Sequence, residues 1–339
     1  MIVQGNSESL LIWHRACWET IDRARRADRL PHALLVTGPA GVGKRRLVAL
    51  LAHSLLCSRP DAQGLACGGC RECELIAAGT HPDLAAIGPD PESKSDEIKV
   101  DAIRRLADSD ALTAHRGGRK VIVLDPAQNM NLSAANSLLK TLEEPSPGTL
   151  LCLVCEQPSR LPATIRSRCQ ELKVPVPPPA VASEWLCRNT DCTDAATLLR
   201  LAHGAPLKAL ALAQDGLLAH REEIFGGFSA VTSGVRDPIA EAAAWNKYEP
   251  AILLDWLSAW VSDLLRLASG HPDPSLTNPD KAKILRTLAG TINTVAAHRY
   301  LQHVLLARAS EGSPVNRLLL YESLLVEWAR ITALGTRTV

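Results

Sequence analysis

The chain has 339 residues, of which 46% are hydrophobic and 22% charged, and its formal net charge is +1 at pH 7. This length exceeds one ordinary hydrophobic core and predicts two or three domains of a soluble, globular protein. The near-zero charge excludes a strong overall field for nucleic acid or membranes. The first residues lack the basic-then-apolar order typical of a signal peptide, and no apolar run approaches roughly 20 residues. We therefore expect a cytoplasmic protein that makes no membrane contact.

The first recognisable unit is a strand, a glycine-rich loop and a helix. Residues 33–37, "ALLVT", form a short apolar run that is typical of a buried strand. After the loop, "KRRLVALLAHSLL" has apolar residues at 47, 50, 51 and 55, which is helical spacing. This order of elements is what a phosphate-binding loop requires.

The glycine loop itself has lost part of the expected chemistry. Gly38, Gly41, Gly43 and Lys44 retain a cradle of backbone N–H groups, a lysine charge and a helix N-terminus for a phosphate. Arg45, however, replaces the Ser or Thr that binds magnesium, and Pro126 follows the strand-end acid Asp125 where a glutamate should orient water. We therefore expect no ATP hydrolysis by this chain alone. The plainest interpretation is a relic loop retained for folding, with nucleotide binding without turnover as the alternative.

A cysteine cluster follows the first helix. Cys57, Cys67, Cys70 and Cys73 have the spacing C-x9-C-x2-C-x2-C, with glycines at 68 and 69 that permit a tight turn. Four thiolates favour a closed tetrahedral zinc site with a structural role and no position for a catalytic water. Free thiols, a redox pair and an iron–sulfur cluster are the alternatives. Cys152 and Cys155 share the C-x2-C spacing, but they lie in a predicted strand, which favours core packing.

The rest of the chain changes from alternating elements to helices. Strands are predicted at 119–125, 148–156 and 170–174, with a helix at 133–144 that Pro145 stops. This alternation predicts a three-layer α/β domain with a mainly parallel sheet. Beyond the prolines of 174–180, a small helical unit and then a larger helical domain are expected. The tryptophans of that domain suggest core packing, with an interaction surface as the alternative: Trp245, Trp256, Trp260 and Trp328.

Two arginines, Arg166 and Arg168, stand at the end of a predicted short helix in "LPATIRSRCQ". An arginine at a domain edge can reach the γ-phosphate of a neighbouring subunit and stabilise charge in the transition state. Taken alone, a solvated or ion-paired arginine is the plainer interpretation.

Several of these segments together resemble bacterial clamp-loader subunits of the AAA+ class. They are "HALLVTGPAGVGK", the four-cysteine insert, "THPDL", "NSLLKTLEEP" and "RLPATIRSRC", in this order. The detailed match covers roughly residues 32–175, and the remainder agrees in outline. The departures at Arg45 and Pro126 look most like the branch of the family that does not hydrolyse ATP, and less like the hydrolysing gamma/tau branch.

The resemblance implies an AAA+ P-loop domain over 1–175 with a zinc module at 57–73, a small helical lid domain over 176–222, and an all-α collar domain over 223–339 that oligomerises. It also implies a hetero-oligomeric ring of five subunits, with gamma/tau motor subunits and a delta subunit as partners. Such a ring opens the sliding clamp and places it on primed DNA. In that family the Ser-Arg-Cys arginine, here Arg168, projects into the ATP site of the neighbouring subunit.

Three other functions compete with this one. An ATP-hydrolysing motor subunit would need the missing magnesium and water-orienting groups. A zinc-bearing nucleic-acid-binding protein on a degenerate P-loop scaffold would need a clustered basic face, whereas the basic residues are scattered in short groups. A small-molecule kinase would need an acceptor site and an intact magnesium centre.

Overall fold

The computed structural model describes residues 9–90, 93, 95–107, 114, 118–191, 194–214, 216–270, 275–290, 292–309 and 316–335. Contacts divide the chain into two compact units. The first is Met1–Ala182 with Ala205–Lys208, and the second is Ser183–Gly204 with Ala209–Val339. The three domains predicted from the sequence, with boundaries at residues 175 and 222, remain a prediction.

The first unit is built on a sheet of five parallel strands. They are β1 (Ala33–Thr37), β2 (Leu84–Ile87), β3 (Lys120–Leu124), β4 (Thr149–Cys155) and β5 (Gln170–Lys173). Their order in the sheet is β2-β3-β4-β1-β5. Every residue of β1, β3 and β4 is buried, as expected for central parallel strands whose two faces are both covered.

Helices of the first unit cover both faces of this sheet. They are α1 (Arg15–Arg26), α2 (Lys44–Leu56), α3 (Arg71–Ala77), α4 (Val100–Ala107), α5 (Leu132–Glu143) and α6 (Ala163–Arg166). Leu34 and Val36 of β1 share a buried cluster with α1 and α2, whereas Leu35 shares another with α4 and α5. Successive strand residues thus point into opposite layers. The predicted α/β fold with a parallel sheet is confirmed.

Strand β2 is an element that the sequence pattern did not reveal. It has four residues, two of them alanine, and they are only partly buried or exposed. Alanine is depleted in strands, so this short segment carries neither an apolar run nor an alternating pattern. Its backbone pairs in parallel register with β3, which makes it the edge strand of the sheet.

The second unit consists of helices. Those that begin after residue 178 are α7 (Pro179–Asn189), α8 (Ala195–Leu201), α9 (Pro206–Gln214), α10 (Leu217–Thr232), α11 (Pro238–Trp245), α12 (Pro250–Ala268), α13 (Ala282–Ala289), α14 (Thr294–Ala309) and α15 (Arg317–Gly335). Helices α7 and α9 each begin within the first unit and end within the second. Across the described residues, no helix has the length and apolar character needed to cross a bilayer.

Aromatic residues form the centre of the second unit. Trp245, Trp256, Trp260 and Trp328 are all buried, which confirms the prediction that they belong to the core. Phe228 stacks on Trp328 with ring centroids 5.1 Å apart, and the indole N–H of Trp328 donates to Thr232 Oγ1 at 2.8 Å. The polar edge of this tryptophan is therefore satisfied inside the core.

Candidate functional site

The glycine loop follows β1 at the carboxyl edge of the sheet and leads into α2. Gly41 and Gly43 have φ angles of 80° and 88°, in the left-handed region that favours glycine. A Cβ on Gly41 would lie 2.6 Å from Lys208 Cβ and 2.8 Å from the Lys208 backbone nitrogen. The loop therefore has the glycine-dependent backbone conformation that a phosphate cradle would require, with the start of α9 packed against it.

Lys44 of this loop is engaged inside the protein. Its side chain is only 4% exposed, its Nζ donates to the Pro39 carbonyl at 2.8 Å, and Nζ lies 3.4 Å from Glu156 Oε1. Burial lowers the pKa of Lys44, while the nearby Glu156 acts in the opposite direction. The charge that would meet a phosphate is thus balanced by a carboxylate of the same chain.

Arg45 forms an ion pair with the acid at the end of β3. Its Nε lies 2.5 Å from Asp125 Oδ2, and the Asp125 side chain is 1% exposed. Burial raises the pKa of Asp125, and the guanidinium of Arg45 opposes that rise. In an ATPase this carboxylate serves the magnesium ion, whereas here a protein cation lies directly against it.

The segment before α1 covers another side of the loop. The Trp13 indole N–H donates to the Val42 carbonyl at 2.9 Å, and His14 Nε2 lies 2.8 Å from the same oxygen. His14 is fully buried, and burial lowers its pKa. A neutral ring must therefore carry its proton on Nε2 and donate it to this carbonyl.

Sequence reasoning missed Glu156, Trp13 and His14 as neighbours of the loop. Glu156 had a detectable signal, because it ends a predicted parallel strand and such ends gather at one edge of a sheet. Trp13 and His14 had none, since their contact with Val42 spans 28–29 residues of the chain and follows no motif.

The four cysteines converge between α2 and α3. Cys57 follows α2, Cys70 precedes α3 and Cys73 lies in the first turn of α3, while Cys67 comes from the connecting loop. All four sulfurs lie within 4.8 Å of one another, with separations of 3.6 Å for Cys57–Cys67, 3.8 Å for Cys57–Cys70 and 3.5 Å for Cys70–Cys73. Sulfurs about 2.3 Å from a central ion form a tetrahedron with edges of about 3.8 Å. The cluster could therefore hold a metal such as zinc.

The thiols of this cluster differ in acidity. Burial opposes ionisation of Cys70, but hydrogen bonds from Ser58 and from the Cys73 backbone lower its pKa to about 5. Burial raises the pKa of Cys73 to about 12. A bound dication is what would stabilise all four groups together as thiolates.

Cys152 and Cys155 do not form a second cluster. Both are fully buried in β4, but Cys152 belongs to the hydrophobic cluster on the α2 side of the sheet and Cys155 to the one on the α5 side. They pack in the core, as the strand periodicity predicts.

Arg168 lies just after α6 and is held by two neighbouring groups. Its Nη2 lies 2.5 Å from Glu143 Oε1, and its Nη1 donates to the Thr164 carbonyl at 2.9 Å. The side chain is 35% exposed, and Arg166 at the end of α6 is also exposed. Glu143 was not among the residues that the sequence suggested for a role here.

Comparisons with known proteins decide the family. A model described as "DNA polymerase III, delta subunit" matches residues 13–178, and its C-terminal counterpart matches residues 215–330. The delta-prime subunit of Pseudomonas aeruginosa is 39% identical over 335 residues, which cover 95% of this chain and 98% of that protein. The chain belongs to the family of DNA polymerase III delta-prime subunits.

Two further relatives define the extent of the similarity. The delta-prime subunit of Escherichia coli is 35% identical over 319 residues, which cover 93% of each chain. The tau subunit of Salmonella typhimurium is 38% identical over 141 residues, only 42% of this chain and 21% of that protein. The delta-prime family thus accounts for nearly the whole chain. The predicted resemblance to bacterial clamp-loader subunits is confirmed, and the matching subunit is delta-prime.

Proposed function

We propose that this chain is the non-hydrolysing stator of the DNA polymerase III clamp loader and that it lends Arg168 to the ATP site of a neighbouring subunit. The observation that carries the non-hydrolysing role is the ion pair between Arg45 and the buried Asp125, at 2.5 Å. It places a fixed positive charge on the carboxylate that a magnesium ion would need.

Magnesium–ATP would have to displace several internal contacts to use this loop. Arg45 would have to leave Asp125, and Lys44 would have to leave the Pro39 carbonyl and Glu156. Position 45 also has no Ser or Thr hydroxyl that could bind the magnesium ion. The loop then serves the fold, and ATP is turned over elsewhere in the assembly.

Arg168 supplies the chemistry that this chain contributes. A guanidinium is always charged and presents a planar set of N–H donors that match phosphate oxygens. A single arginine provided in trans is worth roughly 10³–10⁵ in the turnover of other nucleotide-hydrolysing enzymes. The partial exposure of the Arg168 side chain supports its access to a partner.

The four-cysteine cluster is proposed to hold structural zinc. Cys57, Cys67, Cys70 and Cys73 would fill all four positions of a tetrahedral ion, so no water would be activated there. The ion would tie the end of α2 to the start of α3, which are joined by a connection without regular structure.

The proposed assembly contains gamma/tau motor subunits, a delta subunit, the sliding clamp and primed DNA. The relatives are named as DNA polymerase III delta-prime and tau subunits, which supports partners of this class. Within the chain, residues 1–175 would form the AAA+ domain, 176–222 the lid and 223–339 the collar that oligomerises.

The first test is calorimetric titration of the purified chain with magnesium–ATP, with turnover measured on the same sample. We expect no turnover, because the magnesium carboxylate is paired with Arg45. Binding without turnover would indicate that nucleotide holds the stator in shape. Turnover would overthrow the stator role and favour a motor subunit instead.

The second test concerns the arginine in trans. Replacing Arg168 with alanine should leave assembly intact but lower ATP hydrolysis by a reconstituted loader, because one site loses transition-state charge stabilisation. Arg166→Ala is the matched control, since it removes an exposed arginine two residues away. Unchanged hydrolysis by the Arg168→Ala loader, or an equal loss with Arg166→Ala, would contradict the claim.

A further inference from the structure

Arg168 is held from two directions by groups of its own chain. Glu143, the last residue of α5, binds Nη2 at 2.5 Å, and the Thr164 carbonyl of α6 accepts from Nη1 at 2.9 Å. A guanidinium has five N–H donors, and these two bonds leave three of them for another acceptor. The arginine can therefore bind a phosphate without first leaving Glu143.

The position of Glu143 at the C-terminus of α5 is electrostatically unfavourable unless a positive group pairs with its carboxylate. An acidic side chain in the last turn of a helix faces the negative end of the helix dipole. Pro145 follows shortly after and prevents the helix from continuing, so this carboxylate stays at the C-terminus of α5. The guanidinium of Arg168 offsets the repulsion, which ties the two side chains to each other.

We propose that Glu143 is a positioning residue that holds the Arg168 guanidinium ready for the neighbouring subunit. Arginine has a long side chain with many rotamers, and two fixed acceptors restrict the orientation of its guanidinium plane. The pair is exposed, 35% for Arg168 and 51% for Glu143, so its main effect is on orientation and its contribution to folding is small. This inference rests on the proposed role of Arg168 in trans.

The test uses the complete reconstituted loader with Glu143→Ala, and Glu144→Ala as the matched control. Glu144 is the adjacent exposed acid and lies outside the pair with Arg168. We expect Glu143→Ala to lower kcat for ATP about tenfold at the affected site, below the 10²-fold that a 1 Å misplacement can cost. KM for ATP should change little, because the arginine acts in the transition state. Glu144→Ala should leave both values unchanged.

Two additional variants separate positioning from other roles. Glu143→Gln keeps an acceptor oxygen and should restore much of the lost kcat. Glu143→Ala added to Arg168→Ala should cause no further loss, since there is no guanidinium left to position. A higher kcat for Glu143→Ala would mean that the carboxylate restrains Arg168, and an additive loss in the double variant would mean a structural role; either result overturns the proposal.

Failure of this inference is distinguishable from failure of the proposed function. If Arg168→Ala lowers hydrolysis while Glu143→Ala does not, the arginine acts in trans without help from Glu143. If Arg168→Ala itself has no effect, the proposed function fails first.

Discussion

At the scale of single residues, Arg45 accounts for much of the difference between this loop and a phosphate-binding loop that has Ser or Thr at this position. Arginine at position 45 removes a magnesium ligand and also supplies the cation that the buried Asp125 requires. A buried carboxylate without a partner is costly, and the guanidinium of Arg45 offsets that cost at this edge of the sheet. Arg45 and Asp125 therefore form an ion pair that stabilises this edge of the sheet.

Replacing Arg45 with alanine should lower the free energy of unfolding by about 1–2 kcal/mol at pH 8. This is less than the loss for a fully buried pair, because the Arg45 side chain is 63% exposed and solvent screens it. Burial already raises the pKa of Asp125, and removing the guanidinium should raise it further. Asp125 in the folded variant then binds a proton more readily than in the unfolded chain. The loss of unfolding free energy should therefore grow from pH 5 to pH 8.

Urea unfolding at both pH values checks this prediction. The double variant Arg45→Ala with Asp125→Asn is the control, because it has no carboxylate to titrate at position 125. An equal loss at pH 5 and pH 8 for the single variant would contradict the charge-pair explanation.

At the scale of elements, the loop depends on contacts with segments distant in sequence. The backbone N–H of Leu207 donates to the Gly41 carbonyl at 3.0 Å, and Trp13 and His14 both contact the Val42 carbonyl. The loop carbonyls are thus satisfied by the start of α9 and by the segment before α1. This packing satisfies buried polar groups of the loop and stabilises its conformation.

Gly41→Ala should destabilise the first unit by about 2–4 kcal/mol. The new Cβ would meet Lys208 Cβ and its backbone nitrogen at 2.6 and 2.8 Å, and the φ angle of 80° is unfavourable for alanine. Gly234→Ala is the matched control, because Gly234 has a similar φ of 72° and a Cβ there meets no atom within 4 Å. Thermal unfolding of both variants measures the difference, and equal stabilities would show that α9 does not constrain the loop.

At the scale of the whole molecule, the two compact units contain different structural features. The first contains the sheet, the glycine loop, the cysteine cluster and Arg168, whereas the second has an aromatic core of its own. Relatives of the delta-prime family align with almost the entire chain, so both units are shared with that family.

Removing the zinc proposed for the cysteine cluster should destabilise the first unit selectively. We expect a strong chelator, or Cys70→Ser, to lower its unfolding temperature by roughly 5–10 °C, because structural metal binding contributes directly to folding. Hydrogen exchange should show lost protection in α3 and retained protection in α12. Cys187→Ser, an exposed cysteine outside the cluster, is the control. Equal loss of protection in α3 and α12 would contradict a local role for the metal.

Much of the molecule was encoded in short-range patterns of the sequence. Apolar runs determined β1, β3 and β4, helical spacing determined α2, and Pro145 determined the end of α5, since these elements depend on neighbouring residues. The cysteine spacing likewise determined which sulfurs would converge.

Which charged side chains meet depends on how the elements pack in three dimensions. Lys44 and Glu156 are 112 residues apart and Arg168 and Glu143 are 25 apart, and their pairing depends on the order of strands in the sheet and on how α5 and α6 pack. The same holds for Arg45 and Asp125. In the sequence, Arg45 and the Pro126 that follows Asp125 are two separate departures from the expected motif, whereas in the fold Arg45 and Asp125 form one ion pair. Local propensity contains no information about such partners, because long-range contacts arise only when separate elements are packed together.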